Sequence, residues 1–124
     1  VKLNPDIVPG SFEDAVSEVR KALDEKDKKQ IINCGSVREA AIAGHHSVGQ
    51  HLRNAWSLWD ADSPLLRDLR SKGLFHADDM STAIVMAAVS PFFNETFDLD
   101  RFVTETRSYW MSHGIDPDTG QKLP

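Results

Sequence analysis

Between residues 44 and 59 the chain reads GHHSVGQHLRNAWSLW, a stretch with three histidines, an Arg-Asn pair and two tryptophans. Farther on, His76-Ala77-Asp78-Asp79 adds a fourth imidazole and two adjacent carboxylates. Imidazole serves as a general base or a metal ligand, guanidinium clamps anions, and carboxylates orient a base or hold a cation. One surface built from His46, Gly49, Arg53, Asn54, Trp56, His76, Asp78 and Asp79 is therefore the candidate binding site. In its catalytic form His46 or His76 takes a proton, Arg53 holds an anion, and Asp78 or Asp79 orients the base or binds a metal. In its structural form Arg53 is ion-paired to Asp78 or Asp79, and the group is a polar network between two helices. The network is the preferred reading.

Helical geometry tests the histidines. Advancing about 100° per residue from Val37 puts Val37, Ala41, Gly44, Val48, Leu52, Ala55 and Trp59 on one apolar stripe. His45 and Trp56 fall on one edge of it, His51 and Leu58 on the other. His46 and Arg53 face the opposite side with Ile42 and Ser57. The three histidines then point in three directions and make no metal site alone. A zinc-binding helix carries ligands at i and i+4, but Gly49 and Gln50 stand at those positions after His45 and His46. Asp60-Ala61-Asp62 and Asp116-Pro117-Asp118-Thr119-Gly120 resemble part of a calcium loop but lack its closing glutamate, and read as turns. No metal or cofactor is expected. Each glycine inside a helix costs about 1 kcal/mol against alanine. Gly44 on the stripe would let another helix approach, and Gly49 would make room for a large side chain or a ligand.

These residues need helices to hold them. Ser11, with Phe12, Ala15, Val16, Val19, Ala22 and Leu23 behind it, predicts a helix over about 11–25, followed by a short one near 27–33. Ser36-Val37-Arg38-Glu39 matches a capping box that opens a long central helix to about Leu58. Ser63-Pro64 starts a short helix that Gly73 ends, and His76 starts another that stops before Pro91. A last helix runs from Asp98 or Leu99 to His113 and closes at Gly114. No stretch alternates like a strand. The expectation is an all-α, single-domain bundle of five to six helices around the long helix at about 36–58. An extended arm over 1–10 precedes the domain at 11–113, and a turn-rich tail covers 114–124.

Composition narrows the function. The chain has 124 residues, a net charge of −5 and 40% hydrophobic residues, the balance of a soluble globular protein. Its longest apolar run, Ala83 to Val89, is far short of the roughly 20 residues that cross a bilayer, so no membrane partner is expected. Negative charge and the lack of a basic helix argue against a nucleic-acid partner. Lys26, Lys28 and Lys29 are offset by Asp24, Glu25 and Asp27. A single cysteine, Cys34, leaves no internal disulfide and suits a reducing, cytoplasmic compartment, as a buried small residue rather than a nucleophile.

The pattern His46-x-x-Gly49-x-x-Leu52-Arg53-Asn54-x-Trp56-x-Leu58-Trp59, then Ser63-x-Leu65, then His76-Ala77-Asp78-Asp79-Met80-Ser81 resembles an uncharacterised family of small helical proteins from bacteria and their phages. Members carry a His-Pro-Asp-Asp-like segment where Ala77 stands in this chain. The resemblance spans roughly residues 45–85; it implies that the two segments form one surface, and it implies no mechanism. Two functions follow. The first is a non-catalytic helical protein that binds another protein or itself, in the simplest case as a homodimer. The second is a small enzyme or ligand-binding domain that uses the His46, Arg53, His76, Asp78 and Asp79 group.

Overall fold

Helix starts fall where the sequence supplies a capping side chain. The structure, a computed structural model, describes residues 2–59 and 62–124. α1 (Phe12–Ala22) is capped by the Ser11 hydroxyl, which accepts from the Asp14 N–H. It is shorter than expected because Leu23 leaves the helix in an extended conformation. Asp24 then opens α2 (Glu25–Asn33) through a reciprocal capping box with Asp27. Ser36 caps α3 (Val37–Gly44) by accepting from the Glu39 N–H at 3.1 Å, the forward half of the expected box. Ser63 and Pro64 start α5 (Pro64–Ser71). Asp98 caps α7 (Leu99–Ser112), which ends at Gly114 in the left-handed region.

The helix expected over 36–58 is present with an interruption. α3 passes at Gly44 into a π-helical turn over His45–Gly49 and continues as α4 (Gln50–Ala55), all in right-handed backbone. Trp56 leaves the helix, and Ser57, at φ +53°, forms the left-handed stop. Leu58 N–H donates to the Arg53 carbonyl at 2.9 Å, and Ser57 N–H to that of Asn54 at 3.4 Å. Counting α3, the π turn and α4 as one, the described residues form six α-helical segments, a short 3-10 turn over Ser90–Phe93 and no strand. None of them is long and apolar enough to cross a membrane.

The π turn winds one extra residue into the helix and rotates everything after it. Beyond the turn the buried positions are Leu52, Arg53, Trp56 and Leu58, so that Arg53 and Trp56 are inside where uniform winding gives Ala55 and Trp59. Arg53, placed by that count on the outer face, is buried; Trp59, placed on the apolar stripe, is more than half exposed. Gly44 differs too: a Cβ there would meet nothing within 4 Å, so no helix packs close against it.

The most enclosed element is α6 (Ala77–Val89), which buries nine of its thirteen residues and touches α1, α3, the π turn, α4 and α7. Leu52, Leu65, Leu66, Leu69, Met80 and Ile84 are almost wholly removed from water, each contributing about 1.5–3 kcal/mol of hydrophobic stabilisation. α5 joins α1 through Asp68, whose carboxylate accepts from the Phe12 N–H at 2.7 Å and from Lys72 Nζ at 2.8 Å. Burial alone would raise the Asp68 pKa. Lys72 and the Phe12 amide outweigh it and hold the carboxyl below its ordinary value.

Candidate functional site

Arg53 is the centre of the polar group. α4 carries it inward against the first two turns of α6, and its side chain is 4% exposed. Nη1 donates to Ser81 Oγ at 2.8 Å, and Nη2 donates to the His45 carbonyl at 3.0 Å. Nε lies 3.4 Å from Asp78 Oδ1, an ion pair without hydrogen-bond alignment. The guanidinium carbon stands 5.8 Å from the Trp59 ring centre, within range of a cation–π contact. Nη1 and Nη2 are thus hydrogen-bonded within the protein, while the buried Nε faces Asp78 without a hydrogen bond.

Gly49 explains how so large a group fits. A Cβ on Gly49 would lie 3.0 Å from Arg53 Nη1 and 3.7 Å from Ser81 Oγ. The glycine makes room for a side chain of its own chain.

The start of α6 forms the neighbouring part. His76 caps the helix in an unusual way, its Nδ1 accepting from the Asp78 N–H at 3.1 Å. A backbone amide only donates, so this nitrogen carries a lone pair and the proton of the neutral ring sits on Nε2. The imidazole stacks on Trp110 of α7 with ring centres 5.4 Å apart and planes 20° from parallel. Trp59 meets it edge-on at 6.2 Å, and Phe75 edge-on at 6.0 Å. Asp79 turns away from Arg53 and accepts from Trp110 Nε1 at 2.8 Å. Burial raises the Asp79 pKa; the Trp110 hydrogen bond and the nearby His76 oppose that shift, and Asp78 adds to it.

The structure thus brings Gly49, Arg53 and Asp78 together, with His76 and Asp79 beside them. It leaves three of the candidate residues outside. His46 lies on the π turn, edge-on to His45 at 4.8 Å, and faces a separate cleft. The divergence of neighbouring histidines expected from uniform winding does not hold for this pair. Asn54 is exposed, its side chain without a hydrogen bond among the described residues, and Trp56 is a core side chain, 3% exposed. Among the described residues no three His, Cys, Asp or Glu side chains converge as a metal site would require.

Sequence reasoning missed Ser81, the His45 carbonyl and Trp110. Ser81 lies three residues after Asp78, hence on the same face of α6, and its hydroxyl also donates to the Asp78 carbonyl at 3.0 Å. A hydroxyl one turn after Asp78, in the otherwise apolar run of α6, was the available signal. Trp110 gave none beyond its place on the α7 stripe.

Neither the curated proteins nor the solved structures searched gave a match. A family match does cover residues 8–90, from the segment before α1 to the end of α6. On that match, which takes in Gly49, Arg53, Asp78 and Ser81, the chain belongs to the family described as a domain of unknown function, DUF6794.

Proposed function

We propose that the protein acts by binding another protein, without catalysis, through an aromatic face formed by the start of α6 and the end of α7. The observation that carries this reading is a run of touching rings from Trp59 through His76 and Trp110 to Tyr109. Its two ends, Trp59 and Tyr109, are 54% and 55% exposed, and Met111 on α7 is as open. Tryptophan and tyrosine dominate binding energy at protein interfaces because they bury large rigid surfaces at little entropic cost. The Arg53 group lies behind this face and fixes Trp59 and the first turn of α6. The catalytic reading has less support, because the guanidinium that would clamp an anion is already bound to Ser81, His45 and Asp78.

The simplest partner is a second copy of the chain. A cytoplasmic setting suits the single, half-buried Cys34, whose Sγ is bonded to the Gln30 carbonyl. A bacterial or phage origin rests on the motif resemblance alone. Sedimentation velocity and protein capture, run on wild type and a Trp59→Ala/Tyr109→Ala variant, test the proposal. Wild type is expected to self-associate or retain a partner that the variant, with an unchanged circular dichroism spectrum, loses. Identical behaviour of the two proteins contradicts it.

A further inference from the structure

A second feature lies away from the aromatic face and independent of it. α3 and α7 both rest on α6 and leave a cleft of about 540 Å³ between them. That volume falls within the range of small-molecule sites, roughly 300–1,000 Å³. Its apolar surface comes from Ile42, Met86 and Phe102, and Ile42 is left 58% exposed at the rim. Its polar groups are Arg38, His45, His46, Thr82 and Glu105.

The bonding capacity of Arg38, His45 and His46 is unspent, in contrast to Arg53. Among the described residues the Arg38 side chain makes no hydrogen bond or ion pair, and the two imidazoles touch each other at 4.8 Å without a side-chain hydrogen bond. Glu105, the carboxylate on the same rim, is already paired with Arg101 at 3.0 Å. One free permanent cation with two imidazole donors therefore borders an apolar floor, in a chain whose net charge is −5. The π-helical turn supplies the histidines, and such turns recur at functional sites because the extra residue re-aims side chains.

We propose that this cleft binds a small organic carboxylate with an apolar body. The carboxylate meets Arg38, with His45 or His46 donating a second hydrogen bond, and the body lies on Ile42, Met86 and Phe102. A single guanidinium matches a single negative charge. A phosphate dianion fits less well, because Glu105 borders the same space.

The test is a heteronuclear NMR titration with decanoate below its micelle concentration, beside decanol and acetate. Decanoate is expected to shift the His45, His46 and Ile42 signals saturably, with decanol and acetate each weaker by about tenfold or more. Arg38→Gln, at an exposed position, is expected to weaken decanoate by a similar factor and leave the remaining spectrum in place. Trp59→Ala is expected to leave decanoate binding unchanged, which separates this site from the aromatic face. Equal shifts by decanol, an unaltered affinity in Arg38→Gln, or shifts located elsewhere would each overturn the proposal.

Discussion

At the scale of single residues, the Arg53 group has an asymmetry that substitution exposes. Removing the guanidinium orphans nothing: Ser81 still donates to the Asp78 carbonyl, the His45 carbonyl still accepts from Gln50, and Asp78 is 39% exposed to water. Removing the carboxylate leaves a buried cation without its counter-charge. Arg53→Met should therefore cost about 1 kcal/mol, against about 2 kcal/mol for Asp78→Asn, whose half-exposed carboxylate is partly screened by water, as read from urea unfolding. Gly49→Ala gives a second reading of the same packing. With Arg53 tied in three directions, the added methyl should destabilise by about 1 kcal/mol despite the better helix propensity. In the Arg53→Met background the same change should become neutral or stabilising, a reversal that a double-mutant cycle measures. Asp79 carries a pH signature. Its folded pKa is raised above the ordinary carboxylate value, chiefly by burial. Between the two pKa values the folded state holds the proton more tightly, so this group's contribution favours unfolding as pH rises through that window. Asp79→Asn, which can still accept from Trp110, should unfold at higher urea than wild type at neutral pH, with the gain vanishing below the ordinary carboxylate range. Asp68, whose pKa is lowered, should show the opposite sign: Asp68→Asn loses stability at neutral pH and converges with wild type in acid.

At the scale of elements, the turn after α4 is where the backbone is strained. Ser57 occupies a left-handed position that glycine fills at the ends of α5 and α7. Ser57→Gly should raise stability by roughly 0.5–1 kcal/mol in thermal or urea unfolding, less what the freer unfolded chain takes back. The helix ends were legible in the sequence because caps are local: Ser11, Ser36, Ser63, Asp98 and Gly114 act on residues a few places away. The π turn was not. It leaves no distinct composition, yet one extra residue brought Arg53 inside and helped leave Trp59 outside. The link from Arg53 to Asp78 was legible because both ends carry charge. Those from Arg53 to Ser81 and from Trp110 to Asp79 span 28 and 31 residues and depend on how α4 and α7 lie across α6.

At the scale of the whole molecule, the family match and the aromatic face divide the chain differently. The polar group lies wholly within residues 8–90, whereas Tyr109 and Trp110 come from α7 beyond it. α7 is held there by Trp110 on Asp79, by Arg107 on the Gly73 carbonyl, and by Val103 against Gly73, where a Cβ would come within 2.8 Å. The aromatic face thus combines residues of the matched segment with a helix that lies outside it. We infer that the Arg53 group braces this arrangement as a structural network. Its most direct test is a thermal melt of wild type and Arg53→Met with EDTA, then with zinc, manganese, calcium and common nucleotides. Ligands that bind the folded state raise the melting temperature by mass action. The brace account predicts a modestly lower melt for Arg53→Met and no ligand-dependent rise in wild type that the substitution removes. A metal- or nucleotide-dependent rise in wild type that disappears in Arg53→Met, with its fold intact, would contradict the account and make the group a binding site.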